Sequence, residues 1–484
     1  MRVLMLNAPF HAKFSRSSRS PAVTKGGTIY YPLWLAYATG VMEKVGHEVK
    51  LIDAPARGLT LENVLAIVKE FKPKLVVIDA STPSVHNDVR VLEAIKKEQD
   101  CFAVLVGTHP SALPAETLKM SKSIDAVARH EYDYTLCDLA KELEKKKPAL
   151  KNILGLSFGQ KGKVIHNPDR PFIENLDAIP FVSEVYRNHL RIEDYFYSAN
   201  LYPEITIVTG RGCQFHCKFC VWPQVLNGRA YRTRSIENVV AEFEYIKKNF
   251  PKVKEVFIED DTFTADRERV RRFCDLLLEK GLKISWSANA RADVDLLTLQ
   301  KMKSAGCRLL CVGIESGEQR VLNEIRKGTT IPGIRSFMLN AKKAGILVHG
   351  CFMLGNQGDT IESIRKTIEF AKELAPDTAQ FFPIMVYPGT ETFDWAKKNN
   401  FLTSENFEDW LDECGQHNCM VSRPGLTNKQ LVELCDQARI EFYLRPKYIA
   451  SKALQAILHP KEFSRITRSA KTLAGHMLKK KESQ

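Results

Sequence analysis

The chain has 484 residues, of which 44% are hydrophobic and 26% are charged, values that are ordinary for a soluble globular protein. Its formal net charge of +13 favours an anionic partner or surface, and no apolar run approaches the roughly 18 residues of a membrane span. The N-terminus is too short and too strand-like for a signal peptide, and 12 cysteines without regular pairing are typical of reduced thiols, so we expect a cytoplasmic protein of two or three domains.

The first 150 residues alternate short apolar strands with helix-like stretches. The predicted strands are 3–6, 48–53, 75–79, 102–107 and 124–128, and the predicted helices are 34–45, 61–69 and 88–98. This alternation predicts a doubly wound parallel sheet covered on both faces. Ligands of such sheets bind at the carboxyl ends of the strands. Those ends carry Asn7, Ser81, Thr82, Gly107 and His109.

A connector over residues 151–201 leads to a second series of strand–helix units over 202–410. The predicted strands there are 205–208, 255–258, 284–288, 309–312, 348–353 and 379–384. Six such units predict a partial (β/α)6 barrel, with functional residues at the carboxyl ends of its strands. Residues 411–484 are predicted to form a helical, basic C-terminal region.

Three cysteines follow the first barrel strand with the spacing C-x3-C-x2-C. They are Cys213, Cys217 and Cys220, and Phe219 stands before the last. Three thiolates can hold three irons of a 4Fe–4S cluster, and no fourth cysteine lies at a matching distance, so the fourth iron stays open. An open iron is what S-adenosylmethionine (SAM) needs, because SAM chelates through its amino and carboxylate groups. The alternative is a zinc site completed by His216, although zinc sites usually show paired Cys/His ligands.

The cysteine triplet with its preceding aromatic residue resembles the motif of the radical SAM superfamily. A doubly wound domain ahead of that motif resembles the cobalamin-binding domain of the B12-dependent branch. No G-x-G-x-x-G follows the first strand, so a dinucleotide site is a poor alternative. The D-x-H-x-x-G motif, whose histidine ligates cobalt, is also absent. The resemblance therefore implies base-off cobalamin, with His11 and His109 as candidate contacts.

The same resemblance assigns SAM to the barrel strand ends. Asp260 and Asp261, after the second strand, would accept hydrogen bonds from the SAM amino group. Arg291, after the third, would pair with the SAM carboxylate, because a guanidinium fork matches carboxylate geometry. Glu315, after the fourth, resembles the acceptor of the ribose hydroxyls. Gly355, after the fifth, would let the backbone approach the adenine closely.

Several segments resemble one subgroup of the superfamily. They are 51–55, 80–84, 220–224, 231–235 and 442–447. Together they resemble the hopanoid-biosynthesis radical SAM enzymes associated with the cyclitol ether head group, and through them calditol synthase. This implies hydrogen abstraction by a 5′-deoxyadenosyl radical and contraction of a sugar on a membrane-lipid polar head group. Methyl transfer to an unactivated carbon is the main alternative, and a cobalamin sensor without catalysis is a third.

The C-terminal stretch would suit such a lipid-linked substrate. Residues 441–484 hold ten Lys/Arg and three Asp/Glu. One apolar helical face, interrupted at Pro460, would contain Ala453, Ile457, Phe463, Ile466, Ala470 and Leu473. This pattern is typical of peripheral membrane contact at the inner membrane surface, and packing on the barrel is the equal alternative. No RNA-binding signature accompanies it, so no nucleic acid is expected.

Two further expectations concern partners and the remaining cysteines. The cluster would require a reductase or a flavodoxin-type electron donor. Cys414 and Cys419 are candidates for a second metal site or a hydrogen-donating thiol, and packing cysteines are the simpler alternative.

Overall fold

The computed structural model describes residues 1–458 and Phe463. It confirms the predicted α/β class, with an N-terminal, mostly parallel sheet, a parallel barrel sheet and a helical C-terminal region. Within the described residues, no helix has both the length and the apolar character needed to cross a bilayer. Of the predicted apolar face, Ala453, Ile457 and Phe463 are exposed, while Ile466, Ala470 and Leu473 lie outside the described residues.

The N-terminal sheet has the strand order β2-β1-β3-β4-β5-β6-β7. Its strands are β1 (Arg2–Asn7), β2 (Glu48–Asp53), β3 (Leu75–Asp79), β4 (Phe102–Val106), β5 (Ala126–Ala128), β6 (Leu156–Gln160) and β7 (Lys163–His166). The first five are parallel, and the order reverses between β1 and β3, which is where such folds bind ligands. β3 is buried along its whole length because helices cover both faces.

This sheet continues past residue 150, into the segment predicted as a connector. β6 and β7 form an antiparallel hairpin whose first strand pairs with β5. The hairpin covers the edge that the three-residue strand β5 would otherwise expose. Both strands are short and partly exposed, so their apolar pattern is too weak to identify from sequence.

Eight helices accompany the N-terminal sheet. They are α1 (Leu33–Lys44), α2 (Ala54–Arg57), α3 (Leu61–Phe71), α4 (Val85–Glu98), α5 (Thr108–Ala112), α6 (Pro114–Met120), α7 (Asp133–Leu143) and α8 (Val182–His189). The start of α3 illustrates how local sequence sets a helix boundary, because Thr60 and Asn63 form a reciprocal capping box there. Val64, Val68 and Phe71 then recur on its buried face.

The barrel sheet is wholly parallel and runs in the order β15-β14-β13-β12-β11-β8. Its six strands are β8 (Glu204–Ile207), β11 (Glu255–Ile258), β12 (Ser285–Ala290), β13 (Cys307–Glu315), β14 (Leu347–Leu354) and β15 (Thr378–Pro383). Between β8 and β11 in the chain, β9 (Gly210–Arg211) and β10 (Arg232–Thr233) form a separate antiparallel ribbon. The six barrel strands are those expected from the sequence.

Within the described residues, nine α-helices belong to the barrel and the C-terminal region. They are α9 (Ile236–Asn249), α10 (Arg267–Glu279), α11 (Leu296–Ser304), α12 (Gln319–Glu324), α13 (Ile331–Ala344), α14 (Ile361–Leu374), α15 (Glu391–Lys398), α16 (Asn428–Tyr443) and α17 (Pro446–Leu458). α16 covers the free edge of β15, where the Tyr443 hydroxyl donates to the carbonyl of Ala379 (2.7 Å) and accepts from its N–H (3.0 Å).

The two sheets are joined through buried aromatic contacts. Tyr31 stacks on Tyr186 and Tyr195, with ring centroids 4.3 and 4.0 Å away, and its hydroxyl donates to the carbonyl of Glu204 in β8 (2.7 Å). Residues 10–31, which we call the strap, run between β1 and α1 along this junction. The strap brings N-terminal side chains to the mouth of the barrel.

Candidate active site

The cysteine loop begins after β8 and is held between the β9–β10 ribbon and the barrel. Gly212 has a φ of +88°, and a Cβ there would lie 2.1 Å from the carbonyl oxygen of Ala230, so only glycine fits this turn. Cys217 is buried, and Cys213 and Cys220 are half-buried. Three thiols on one short loop are the donor set that a 4Fe–4S cluster with one open iron requires.

The thiols lie near charges of both signs, the carboxylate of Asp261 and the guanidinium of Arg19. Burial, followed by the charge of Asp261, raises the pKa of both Cys213 and Cys220, while the Arg19 guanidinium opposes the rise at Cys220. The Sγ of Cys213 lies 3.6 Å from the Oγ1 of Thr262. Coordination to iron needs the thiolate form, so binding of the cluster would release protons.

The structure does not support the two other metal hypotheses, a zinc site completed by His216 and a second metal site at Cys414 and Cys419. His216 is exposed, and Cys414 is exposed while Cys419 is buried with its thiol toward the carbonyl of Val421 (3.6 Å). Across residues 1–458, no three His, Cys, Asp or Glu side chains converge on a position for one metal ion. The thiolates of a 4Fe–4S cluster bind separate irons, so they need no such common point.

Arg19 of the strap reaches the carboxylates after β11, a contact that the sequence analysis missed. Its guanidinium forms an ion pair with Glu259, lies 3.4 Å from an oxygen of Asp261, and sits 4.0 Å over the ring of Trp222. Burial raises the pKa of Glu259, and the charge of Arg19 counters that rise. No motif links the strap to the barrel in the sequence, because the two are more than 200 residues apart and meet only in the fold.

The two predicted SAM carboxylates after β11 have different surroundings. Asp260 is fully buried and accepts from the N–H and the hydroxyl of Thr209, both at 2.6 Å, and from the hydroxyl of Tyr231 at 2.9 Å. The side chain of Asp261 is 3% exposed and accepts from the amide of Asn227 at 3.2 Å and from the guanidinium of Arg19 at 3.4 Å. The carboxylate of Asp260 therefore has its acceptors occupied at short distances and positions the segment before the cysteines, whereas a ligand of Asp261 would have to share that carboxylate with Asn227 and Arg19.

Arg291 lies against the cysteine loop rather than free in the mouth. Its guanidinium sits 3.7 Å over the ring of Phe215 and donates to the carbonyls of Lys327 (2.8 Å) and Gly328 (3.1 Å). It also lies 3.2 Å from a carboxylate oxygen of Asp293. A SAM carboxylate would have to share this donor with protein acceptors.

Glu315 ends β13 with one carboxylate oxygen unpaired. Its Oε1 accepts from Lys327 at 2.8 Å, while its Oε2 is buried without a hydrogen-bond partner. The residue has a φ of +68°, an unusual conformation for a side chain other than glycine. The same Lys327 ammonium lies 5.9 Å from the ring of Phe219 in the cysteine loop. A hydroxyl donor, such as a ribose, would satisfy the free oxygen.

Gly355 has a packing role that was not expected from the sequence. A Cβ at this position would lie 2.6 Å from the side chain of Leu431, on α16. The absence of a side chain therefore serves the packing of the C-terminal helix against the loop after β14. The sequence pattern missed this because α16 is distant along the chain.

The predicted cobalamin contacts converge at the carboxyl edge of the N-terminal sheet. The Oγ1 of Thr82 lies 3.3 Å from the Nδ1 of His109, and burial lowers the pKa of His109 to about 3. The Oγ of Ser81 lies 2.8 Å from that of Ser84. Gly107 has a φ of +104° and packs against Asp79, where a Cβ would lie 2.2 Å from a carboxylate oxygen.

Two buried oxygens at the same edge have no hydrogen-bond partner, the Oδ1 of Asn7 and the Oδ1 of Asp53. Such atoms are costly unless a ligand satisfies them, so the edge fits a polar ligand. His11 stands apart from the group, against Gly415 of the C-terminal region.

The strap also places a buried ion pair at this edge. Arg16 pairs with Asp88 of α4 at 2.5 Å, and neither side chain is exposed. Burial raises the pKa of Asp79 to about 7 and that of Asp53 to about 6, and the Arg16 charge opposes both shifts. Arg16 was not identified from the sequence, because an arginine in a loop carries no signal of burial.

Comparisons with known proteins agree with both halves of this arrangement. Residues 207–371 match the radical SAM superfamily model, and residues 19–140 match the B12-binding domain model. The chain is 35% identical to an uncharacterized methyltransferase of Pyrococcus horikoshii over 87% of this chain and 90% of that protein. It is 28% identical to an anaerobic magnesium-protoporphyrin IX monomethyl ester cyclase of Rubrivivax gelatinosus, over 85% of this chain and 74% of the other.

More distant similarities cover most of the chain as well. A hopanoid C-3 methylase of Methylococcus capsulatus is 22% identical over 78% of this chain and 70% of its own length. The structure of the radical SAM methyltransferase TsrM from Kitasatospora setae, solved with cobalamin and a 4Fe–4S cluster, superposes with a TM-score of 0.70 at 17% identity, covering 92% of this chain and 91% of that one. Taken with the cysteine loop and the polar sheet edge, these matches show that the chain belongs to the B12-binding branch of the radical SAM superfamily, as an enzyme whose cofactors are a 4Fe–4S cluster, SAM and cobalamin.

Proposed function

We propose that this enzyme is a cobalamin-dependent radical SAM methyltransferase that methylates an unactivated carbon. The observation that carries the proposal is the relative at 35% identity, a methyltransferase by name, which matches across both domains. The resemblance to the cyclitol ether enzymes favours sugar ring contraction, with methyl transfer as the alternative. The comparisons support the alternative better, since the hopanoid relative is also a methylase by name.

The residues at the two sheet edges have separate tasks in this proposal. When bound, the cofactors supply reductive cleavage of SAM and a carrier for the methyl group. Cys213, Cys217 and Cys220 would hold the cluster, and Asp261 and Glu315 would orient SAM through its amino group and ribose. Thr82, His109 and the free oxygen of Asn7 would contact cobalamin. The protein itself fixes these positions and excludes water.

Isotope labelling tests the proposal before the substrate is identified. Cells with and without the gene are fed methionine carrying a CD3 group, and their metabolites and lipids are compared by mass spectrometry. We expect a gene-dependent product that carries one added CD3 group. A gene-dependent product of rearranged skeleton without the label would support ring contraction and overturn methyl transfer.

A lipid-linked substrate remains a second part of the proposal, favoured by the surface of α17. Ile449, Leu454 and Ile457 on this helix are 53%, 56% and 76% exposed, in a region rich in lysine and arginine. Exposed apolar side chains beside basic ones suit an anionic bilayer surface. Each Lys or Arg near such a surface contributes about 1 kcal/mol, and salt screens the attraction.

Liposome co-sedimentation tests this membrane contact. The full chain should bind vesicles containing anionic lipid more tightly than neutral vesicles, and reversal of charge at Lys471, Lys479, Lys480 and Lys481 should remove the difference. These four lysines lie outside the described residues. Equal binding of the wild type to both vesicle types would refute an electrostatic role.

Reduction of the cluster would require an electron donor, for which we propose a flavodoxin or a reductase. Gln214 and His216 of the cysteine loop are exposed, which leaves one side of the loop accessible to a partner. The test is SAM cleavage with reduced flavodoxin as the only reductant. No cleavage under conditions where dithionite supports it would exclude that class of donor.

A further inference from the structure

Three polar side chains from distant parts of the chain meet at the mouth of the barrel. The Oγ of Ser20 lies 2.9 Å from the Nε2 of His417 and 3.3 Å from the hydroxyl of Tyr387. The Tyr387 hydroxyl lies 3.4 Å from the same ring nitrogen. Ser20 belongs to the strap, Tyr387 follows β15, and His417 lies in the C-terminal region. We call these three residues the mouth cluster.

On one side the mouth cluster adjoins the barrel strand ends. Ser20 directly follows Arg19, which pairs with Glu259 and approaches Asp261 after β11. These carboxylates belong to the edge that carries the cysteine loop. The cluster is therefore one residue along the chain from the charged edge of the SAM site.

On the other side a chain of aromatic contacts links the cluster to the N-terminal sheet edge. Tyr387 packs on Trp410 (ring centroids 5.8 Å apart), Trp410 on Phe407 (5.6 Å), and Phe407 on His109 (4.8 Å). His109 is one of the predicted cobalamin contacts. The mouth cluster thus lies between the two cofactor edges, where a substrate that reacts with both must be held.

One nitrogen of the mouth cluster has no hydrogen-bond partner. The Nδ1 of His417 is buried without a partner. A neutral imidazole has one donor and one acceptor nitrogen, so whichever role Nε2 takes toward Ser20 and Tyr387, Nδ1 holds the opposite role unused. A buried polar atom without a partner is destabilising, and a ligand group that bonds to it removes that cost.

The cluster is also uncharged. Burial lowers the pKa of His417 to about 4, with Ser20 and Asp412 opposing the shift, and burial raises the pKa of Tyr387. The nearby positive charge of Arg19 is already paired with acidic residues. Since none of the three cluster residues is a lysine or arginine and Arg19 is paired, a phosphate or carboxylate would gain no ion pair from them, whereas a neutral hydrogen-bonding group would be satisfied.

We infer that the mouth cluster binds an uncharged hydroxyl or carbonyl group of the substrate and so holds the reacting carbon between the two cofactor edges. This inference rests on the proposed function and adds the chemical class of the group that is recognised. It makes Ser20, Tyr387 and His417 specificity-determining residues. Tyr387 belongs to the segment after the sixth barrel strand, whereas Ser20 and His417 lie outside the cysteine motif and the strand-end segments.

The test uses the full chain and the CD3-methionine labelling described above, with variants Tyr387→Phe and His417→Phe. Tyr387→Phe removes a single oxygen and retains the ring that packs on Trp410, so it tests the hydrogen bond with little change in packing. We expect the labelled product to fall at least about tenfold in both variants, the loss that one missing bond of about 1.4 kcal/mol causes. His166→Phe, at an exposed position on β7, is the matched control and should not change the yield.

Readouts on the purified variants separate recognition from structural damage. Iron content, cobalamin content and SAM cleavage without substrate should stay within about twofold of the wild type. The inference is overturned if product yield is unchanged, if it falls in step with SAM cleavage, or if the product has no hydroxyl or carbonyl group. A gene-dependent product without the label would refute methyl transfer but still test the cluster, because its yield should fall in the same two variants.

Discussion

The carboxyl edges of the two sheets are built from different chemistry. At the barrel edge, charged side chains pair across the mouth, as Arg19 does with Glu259 and Lys327 with Glu315. At the N-terminal edge, Thr82 and His109 are neutral and buried, and the charged pair of Arg16 and Asp88 is sealed from solvent. The barrel edge therefore suits a zwitterionic ligand, whereas the N-terminal edge suits a ligand held by neutral contacts.

The largest expected effect comes from removal of the cysteines. Replacement of Cys213, Cys217 and Cys220 by alanine should abolish iron binding at this site and reduce SAM cleavage below detection, because no other ligand set replaces the thiolates. Iron analysis and 5′-deoxyadenosine formation measure both. Cobalamin retention should persist, since the N-terminal edge does not contain these residues.

The matched control for that experiment is Cys101→Ala, a buried cysteine of the N-terminal domain. It should leave iron content and SAM cleavage unchanged. Normal SAM cleavage in the triple variant would contradict the assignment of the cluster. Loss of cobalamin in the same variant would show that the two edges do not bind independently.

The second effect is on stability at the N-terminal edge. Arg16→Met leaves Asp88 buried without its partner, and breaking such a pair costs about 3–5 kcal/mol. We expect a lower thermal unfolding midpoint and weaker cobalamin retention, measured by calorimetry and by absorbance after gel filtration. Arg90→Met is the control on the same helix, because Arg90 pairs with Glu408 at the surface and should matter little. Equal midpoints for the two variants would contradict the role given to Arg16.

The third effect is on the affinity for SAM and concerns Glu315, whose carboxylate has one unpaired oxygen at the barrel edge. Glu315→Gln removes the charge beside Lys327 and one acceptor for SAM, so the Kd for SAM should rise roughly tenfold, about the value of one hydrogen bond to a charged group. Equilibrium dialysis measures the change. Glu318→Gln, whose partner Lys366 is exposed, is the nearby control and should leave the Kd unchanged. An unaltered Kd in Glu315→Gln would exclude this carboxylate from SAM binding.

The last effect is a pH dependence of stability and concerns Asp79. Burial raises its folded pKa to about 7 from an ordinary value of 3.8, so the folded state binds more protons than the unfolded chain between those values. Stability from this group therefore falls as pH rises through that window, with a slope of up to about 1.4 kcal/mol per pH unit. Asp79→Asn should flatten the pH dependence of the unfolding midpoint between about pH 4 and 7. An unchanged slope would mean that Asp79 is charged in the fold.

Much of the candidate site could be predicted from local sequence patterns. The cysteine triplet and the acidic residues after β11 follow strands, and the carboxyl ends of parallel strands share one edge. The division of roles between Asp260 and Asp261 could not be predicted. Both residues lie in the loop after β11, where no strand periodicity applies, and only the packed structure shows which carboxylate Thr209 and Tyr231 occupy.

Strand periodicity and thiol spacing are local properties of the chain, so the amino-acid sequence predicts the two α/β units and the cluster loop, and the resemblance to the radical SAM superfamily implies the cofactors. What lies between the two units depends on the tertiary structure. Arg16, Arg19 and Ser20 sit in a strap without a recognisable motif, and Leu431 and His417 come from the far C-terminal region. Their roles arise from burial and from contacts between residues as far as 397 positions apart, which depend on how the whole chain packs rather than on any local pattern.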